Sequence, residues 1–405
     1  MQTTIGILRE GKLPHDKRVP FTPKQCKQLM QKFPNLHIVV QSSPFRCFTD
    51  EEFRNEQVEV SDNLNDCDYL MGVKEVPSHA LIAGKTYFFF SHTIKKQAYN
   101  RALLQEILHK HIRLIDYEVL TDKHQMRIIG FGRYAGLVGA YNGLRAWGLR
   151  FQLYTLKPAH LCHDLPEMLQ NLSAIEIPPI KIVVTGDGRV AGGVLELLNH
   201  LQIKQVSVDE FLETEHPSVP QFVQLQAGDY NQHRECTPFE LLHFYNHPEE
   251  YSSHFERFLS KTDLLIGAAF WDPKAPQLFA LSDTSKKQFR IKVIADITCD
   301  INGSIPTTQR ASTIDEPLYD FNPSTQQAEE PFSHCKNITV MAVDNLPCEL
   351  PRDASEDFGN NLINKVIPAI LGKDPDQILE RATIAQKGML TARFAYLNDY
   401  VNNNS

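Results

Sequence analysis

Lys181-Ile-Val-Val-Thr-Gly186-Asp-Gly188-Arg189-Val-Ala-Gly192-Gly193, running on through Val-Leu-Glu-Leu-Leu-Asn-His-Leu201 to Gln205-Val-Ser-Val-Asp209, is the stretch that decides the fold. A β-branched run, a glycine turn, an amphipathic segment and a second short apolar run ending in a carboxylate read as one βαβ unit. Gly186 permits a tight turn, Gly188 lets the backbone approach a pyrophosphate, and Gly192 or Gly193 lets the helix lie close to the strand. The first-turn N–H groups of that helix, from Arg189 on, then face phosphate. Asp209 falls where a carboxylate accepts from the adenosine ribose, which favours NAD over NADP. The spacing from Gly186 to Gly192 is one residue longer than G-x-G-x-x-G, so the context carries the reading. Its bland alternative is a glycine turn in an α/β sheet with nothing bound.

With 405 residues, the chain is too long for one ordinary core and suffices for two domains. A net charge of −8, with no basic stripe, argues against a nucleic-acid partner. The N-terminus enters a strand pattern directly and no apolar run reaches the length of a membrane span, so no membrane partner is expected. Eight cysteines are scattered without C-x-x-C pairs or a Cys/His cluster, which points to a reduced, cytoplasmic protein and to no metal site.

Upstream of this unit, short apolar runs at 4–8, 37–41, 68–73, 86–90 and 112–115 alternate with helical patterns at 22–32 and 95–109, implying a second parallel sheet. Ligands bind beyond the carboxyl ends of parallel strands. The residues that follow these runs, Arg9 and Arg18, Lys74 and Glu75, Ser91 and His92, and Asp116 to Glu118, are therefore expected to converge. Gly136, Gly139, Gly143 and Gly148 crowd one helical stretch, so another backbone is expected to press close there. Further strands are expected at 264–268, 293–297 and 338–343. The polar segment 213–260 reads as an insertion, 344–359 as a Pro-punctuated link, and 362–371 and about 375–396 as helices that return to cover the first sheet. The result is α/β with two Rossmann-like domains and an interdomain cleft: 1–133 with 347–405, and 134–346.

Gly72-Val-Lys74-Glu75, Phe90-Ser-His92-Thr-Ile-Lys-Lys-Gln97, Arg113-Leu-Ile-Asp116-Tyr-Glu118, Gly130-Phe131-Gly-Arg-Tyr-Ala-Gly136 and Val343-Asp344-Asn-Leu-Pro-Cys-Glu-Leu-Pro-Arg-Asp-Ala354 resemble the lysine-forming saccharopine dehydrogenases. They are especially similar to the lysine–2-oxoglutarate reductase domains of bifunctional lysine-degrading enzymes, within the alanine dehydrogenase and transhydrogenase superfamily. The resemblance covers nearly the whole chain. It implies a reaction in which the ε-amine of lysine and the ketone of 2-oxoglutarate form an imine that a nicotinamide hydride reduces to saccharopine, or the reverse.

The resemblance also implies roles. Lys74 and His92 become the acid/base pair, with Glu75 and Glu118 for positioning and charge balance. Arg18 and Arg127 become carboxylate clamps, and Gln97, Phe131, Thr298, Cys299 and Asp300 further substrate positions. Gly188, Arg189, Asp209, Ile297, Val343, Asp344, Asn345 and Leu346 would contact the cofactor. Met126 stands where the NAD-using single-function enzymes carry a second arginine, and the reductase-domain relatives commonly take NADPH, so NADP stays an alternative to NAD. Two other readings predict different behaviour. An alanine dehydrogenase-like or other opine-forming enzyme turns over a different amine and 2-oxo acid, and a nucleotide-sensing protein binds NAD with no turnover.

Overall fold

The structure, a computed structural model, describes residues 2–11, 13–372 and 374–402. The chain divides into two compact units: one joins the segment ending at Phe131 to the segment beginning at Pro351, and the other is Gly132–Leu350. The expected junctions, 133/134 and 346/347, instead fall inside a helix and at a 3-10 turn.

The first unit has an eight-stranded sheet. Its main parallel strands are β1 (Thr3–Ile7), β2 (Leu36–Val40), β3 (Tyr69–Met71), β4 (Thr86–Phe89) and β5 (Arg113–Asp116), in the spatial order β5-β4-β3-β1-β2, with the two-residue strand Glu59–Val60 also parallel outside β2. Both faces are buried, as parallel sheets require. On β4 the alternation is explicit: Tyr87 and Phe89 pack with Leu103, Leu104 and Ile107, while Phe88 packs with Phe358 and Leu362. Each such side chain contributes about 1.5–3 kcal/mol.

Helix α1 (Pro23–Lys32) begins where Thr22 and Gln25 form a reciprocal capping box with Pro23 at its first position. Gln25 Nε2 also donates to Glu356 O at 2.8 Å and to Asn360 Oδ1 at 2.9 Å, which fastens the helix Pro351–Lys365 to α1. The C-terminal segment thus does return to this sheet. Its form differs from the expectation, because Pro351 opens a helix directly instead of ending a link. Residues 375–396, expected as one helix, instead hold the strands Thr383–Gln386 and Met389–Leu390. Lys387 (φ 53°) and Gly388 (φ 78°) are both left-handed, the two-residue turn that matches strand twist. The hairpin pairs antiparallel with β5 and closes that side of the sheet.

The second unit has its own eight-stranded sheet. Strands β6 (Lys181–Thr185), β7 (Gln221–Leu225), β8 (Leu264–Gly267), β9 (Val293–Asp296) and β10 (Ile338–Met341) are ordered β10-β9-β8-β6-β7 and run parallel. Lys204–Gln205 lies outside β7, and Leu318–Asn322 with Gln327–Glu329 extends the other end antiparallel. Two corrections follow. The 213–260 segment is no simple insertion, since it contributes β7. The strand next to β6 is β7 and not the 204–205 run, so the βαβ unit is not closed by the run that leads to Asp209.

Helix α2 (Gly132–Phe151) holds the glycine series and helix α3 (Arg189–His200) follows the turn. A Cβ on Gly136 would lie 2.0 Å from Val190 O, and one on Gly193 would lie 2.0 Å from Arg133 O. The two helices therefore meet backbone to backbone, and the glycines are placed for that contact. Farther along α2, Gly139 faces Ile297 and Leu346, and Gly143 faces Ala295. No helix among the described residues is long and apolar enough to cross a membrane.

Candidate active site

In the first unit, four strand ends meet. Glu10, three residues past β1, reaches across to the loop after β3, where it accepts from Val73 N at 2.6 Å and Lys74 N at 2.9 Å. Burial, followed by the nearby Asp16 carboxylate, pushes Glu10 up to about 8. The two amide bonds and Arg18 pull the other way without prevailing. Lys74 thus stands on a backbone clamped by a buried carboxyl group whose pKa is raised.

Arg18 is buried, with Nε 3.0 Å from Asp16 Oδ1 and a terminal nitrogen 2.6 Å from Oδ2. Burial pushes the Asp16 carboxyl up, but the charge and hydrogen bonds of Arg18 outweigh it and hold it well below the usual range. The guanidinium lies 4.1 Å over the Phe131 ring, which stacks on Phe358 at 4.5 Å. The fork expected to clamp a substrate carboxylate is therefore engaged bidentately by Asp16. Phe131 forms the floor under that pair.

His92 follows β4 in a left-handed conformation, φ 53°. Such backbone needs support in a residue with a Cβ. Ser91 supplies it by donating N–H (3.0 Å) and Oγ–H to the fully buried Asp116, while Thr93 N donates to Ser91 Oγ at 3.3 Å. Burial raises Asp116, and the Ser91 hydroxyl opposes the rise. Thus placed, the imidazole stands between two carboxylates: Nδ1 is 3.3 Å from Glu118 Oε2 and Nε2 is 3.9 Å from Glu75 Oε1. Burial opposes ionisation of Glu118, but His92, Lys95 at 3.4 Å and Arg127 hold it down to about 2. Glu118 is therefore a negative charge at neutral pH beside the His92 imidazole.

Two expected substrate residues lie at the margin of this cluster. Gln97 is exposed, with Oε1 accepting from Tyr99 Oη–H at 2.6 Å. Arg127 is exposed as well, its guanidinium 5.2 Å from the Phe90 ring and its Nε donating to Ile129 O at 3.0 Å. Sequence reasoning passed over Glu10 and Asp16. Each is one or two residues from a cation it had singled out, and carboxylate partners nearby were the available signal.

In the second unit the glycine turn has the form that a dinucleotide needs. Gly186 has φ +95°, donates N–H to Leu225 O at 2.8 Å, and a Cβ there would lie 2.9 Å from Ala269 Cα. Gly188 precedes the first helical residue, Arg189, and a Cβ on Gly188 or Gly192 would meet open space. The N-terminal turn of α3 is thus open at Gly188 and Gly192, whereas Gly193 and not Gly192 makes the close packing, and makes it against α2 instead of the strand. Beside the turn is a cavity of about 320 Å3 lined by Thr185 at the end of β6, Tyr230 after β7, Trp271 after β8, and Phe244, Tyr245 and Pro248.

Asp209 is corrected on structural grounds. It is exposed, in the first turn of the short helix Val208–Glu213 beyond the edge run 204–205, and β7 stands between that run and β6. The ribose position flanks β6, so the case for NAD drawn from Asp209 loses its footing. After β9 come Ile297, Thr298, Cys299 and Asp300. Thr298 Oγ1 (2.7 Å) and Thr308 Oγ1 (2.6 Å) donate to the buried Asp296, which burial pushes up to about 6 despite them. Burial, then Asp344, pushes the Cys299 thiol up to about 12, which makes it a poor nucleophile. Val343 bridges to Ser312, Asp344 is exposed, Asn345 is left-handed at φ 70°, and Leu346 packs near Gly139.

Comparison with known proteins adds relatives to this geometry. The family model described as "Alanine dehydrogenase/PNT, N-terminal domain" matches residues 6–138, and "Alanine dehydrogenase/PNT, C-terminal domain" matches 166–398. The chain is similar to the alpha-aminoadipic semialdehyde synthase of Arabidopsis thaliana, 30% identical over 97% of this chain and 41% of that protein. The mitochondrial synthase of Mus musculus is 28% identical, over 97% of this chain and 47% of its own length. The chain therefore spans less than half of these two relatives. A saccharopine dehydrogenase (NAD(+), L-lysine-forming) of Emericella nidulans is 23% identical over 89% of this chain and 90% of that protein. A solved L-alanine dehydrogenase shares the fold, with a TM-score of 0.64 at 16% identity over the full length of both chains.

Proposed function

The chain belongs to the alanine dehydrogenase/PNT family, and from that premise we propose that it interconverts saccharopine with L-lysine and 2-oxoglutarate, with a nicotinamide dinucleotide as hydride carrier. The observation that carries the proposal is His92 held between Glu75 and Glu118, with Lys74 adjacent to Glu75 in the chain. Imine chemistry needs a group that takes the proton of an amine and one that gives or removes a proton at the water which adds to the carbon. His92 and Lys74 fill these two places, on neighbouring strand ends. Glu118 stays ionised beside the imidazole. Glu10 fixes the Lys74 backbone, and the Asp16–Arg18 pair supplies a rigid polar wall.

The dinucleotide, when bound, supplies the hydride acceptor. The residues proposed to hold it are the Gly186–Gly188 turn and the N–H groups from Arg189 on, with its adenosine half entering the aromatic cavity beside Thr185. The lining of that cavity includes Asp272 and, among the described residues, no lysine or arginine. A 2′-phosphate finds no cation there, which supports NAD over NADP.

The test is a steady-state screen of saccharopine, alanine and related opines against NAD and NADP, run also in the reductive direction with lysine or other amines and 2-oxoglutarate or pyruvate. The proposal expects saccharopine and NAD to give the highest kcat/KM. Turnover of alanine with pyruvate as product, and none of saccharopine, replaces it with the alanine dehydrogenase-like reading. NAD binding without turnover of any pair replaces it with a sensor.

A further inference from the structure

We propose that the segment between β7 and β8 carries a site for one divalent transition-metal cation of the zinc class, with His233, His243 and Glu250 as ligands and His247 as a fourth donor at its edge. The fold gathers them. His233 ends the strand Asn231–His233, which pairs antiparallel with Tyr251–Ser253 so that His233 lies opposite Tyr251, and Glu250 directly precedes Tyr251. His243 lies on α4 (Leu241–Asn246), and His247 follows four residues later, one helical turn along.

The donor atoms of His233, His243 and Glu250 all lie within 4.8 Å of one another. Glu250 Oε2 is 3.4 Å from His233 Nε2 and 3.7 Å from His243 Nε2, and its other oxygen is 3.8 Å from His247 Nδ1. Tetrahedral zinc with bonds of about 2.0–2.1 Å sets its donors roughly 3.3 Å apart, so the site needs only small side-chain movements to close. Two or three imidazoles and one carboxylate form a nitrogen-rich set that suits zinc and its neighbours, where magnesium or calcium takes oxygen.

The surroundings orient one ligand. His243 Nδ1 is 3.1 Å from the hydroxyl of the buried Tyr251, which leaves Nε2 facing the cluster, the arrangement in which an outer partner fixes a ligand's tautomer. His233 is held in the opposite sense: Glu235 N–H donates to its Nδ1 at 3.2 Å, so in the metal-free protein Nε2 carries the proton. Metal binding at Nε2 requires that nitrogen to be vacated. The proton that His233 retains moves to Nδ1, and the ring gives up the Glu235 contact. Phe244, Tyr245 and Pro248, from the same segment, line the cavity beside Thr185, so the cation braces that wall. No cysteine takes part, which is why a search for Cys spacings passed over the site.

The test uses the full chain, stripped with a chelator and titrated with Co2+ while visible d–d absorption is followed, with Zn2+ as competitor. The expected result is one equivalent of Co2+ bound and displacement by Zn2+. His243→Gln and the isosteric Glu250→Gln are expected to weaken binding about 10- to 100-fold, while His216→Gln, at an exposed histidine outside the cluster, leaves it unchanged. Because Glu250 is half exposed, its variant is expected to fold, which circular dichroism checks. Absence of d–d bands at millimolar Co2+, or bands that persist in both ligand variants, overturns the proposal. The readout is metal binding, so it stands or falls independently of the saccharopine reaction.

Discussion

Gly136→Ala puts a methyl group into a backbone contact, and the structure fixes the sign of the effect. Replacing glycine inside a helix with alanine gains about 1 kcal/mol of intrinsic helix propensity. At Gly136 the new Cβ would lie 2.0 Å from Val190 O, 2.8 Å from Val194 N and 2.9 Å from Gly193 Cα, all of it backbone of α3 that no rotamer change relieves. Overpacking of this kind costs roughly 1–3 kcal/mol, and the rigid neighbour puts it at the upper end. The net loss is about 2 kcal/mol, or about 4–8 °C in Tm for a unit of this size. Gly192→Ala is the internal control: it lies on the same helix, its Cβ meets nothing within 4 Å, and it is expected to gain about 0.5–1 kcal/mol. Differential scanning calorimetry on both variants, with dinucleotide affinity measured beside it, decides the matter. Val190 is in the first turn of α3, so Gly136→Ala is also expected to weaken dinucleotide binding. Equal and favourable shifts in both variants refute the interlocked-helix account.

Other consequences concern the charged residues. Glu10 has a folded pKa raised to about 8, so between about 4.5 and about 8 the folded state binds a proton that the unfolded state has lost, and stability falls as pH rises through that window by up to about 1.4 kcal/mol per unit. Chemical denaturation across that range is expected to show a shallower fall in Glu10→Gln. Asp16 has the opposite sign: its depressed pKa stabilises the fold above about 3.9, the unfolded value, and the contribution is lost as pH falls below it. Asp16→Asn removes the bidentate partner of a buried guanidinium and is expected to lose about 3 kcal/mol in urea denaturation at neutral pH. Asp209→Asn should leave the ratio of NAD to NADP affinity unchanged, because β7 separates its strand from β6, whereas loss of a ribose acceptor costs about 1.5–3 kcal/mol of binding.

Much of this was legible in the sequence, for physical reasons. Lys181-Ile-Val-Val-Thr185 and the runs that became β1 to β5 are short, mostly apolar and largely buried, so their composition marks them. The crowded glycines of α2 announced a close partner without saying that it was α3. Strand order was not legible: Asp209 sits at the right distance along the chain from Gly186, but nothing local reveals that β7 pairs between. Gln221-Phe-Val-Gln-Leu225 was lost in its polar surroundings. The 383–390 hairpin reads as helix because Leu379, Ile384, Met389 and Phe394 recur regularly; their five-residue interval is too long for a helical face, and Lys387-Gly388 carries the turn. At the site, Lys74, His92, Glu75 and Glu118 were found as strand-end residues. The importance of Glu10 and Asp16 comes from burial and from partners across the sheet, which no linear pattern encodes.

The most direct measurement is saccharopine-dependent reduction of NAD by Lys74→Met/His92→Gln beside the unaltered chain, with dinucleotide affinity measured on both. Removal of the two proton carriers is expected to lower kcat by at least about 10^2-fold and leave NAD binding intact, since neither residue belongs to the unit that holds the Gly186 turn. Saccharopine turnover at the unaltered rate in the double variant contradicts the assignment of chemistry to the first unit's strand ends.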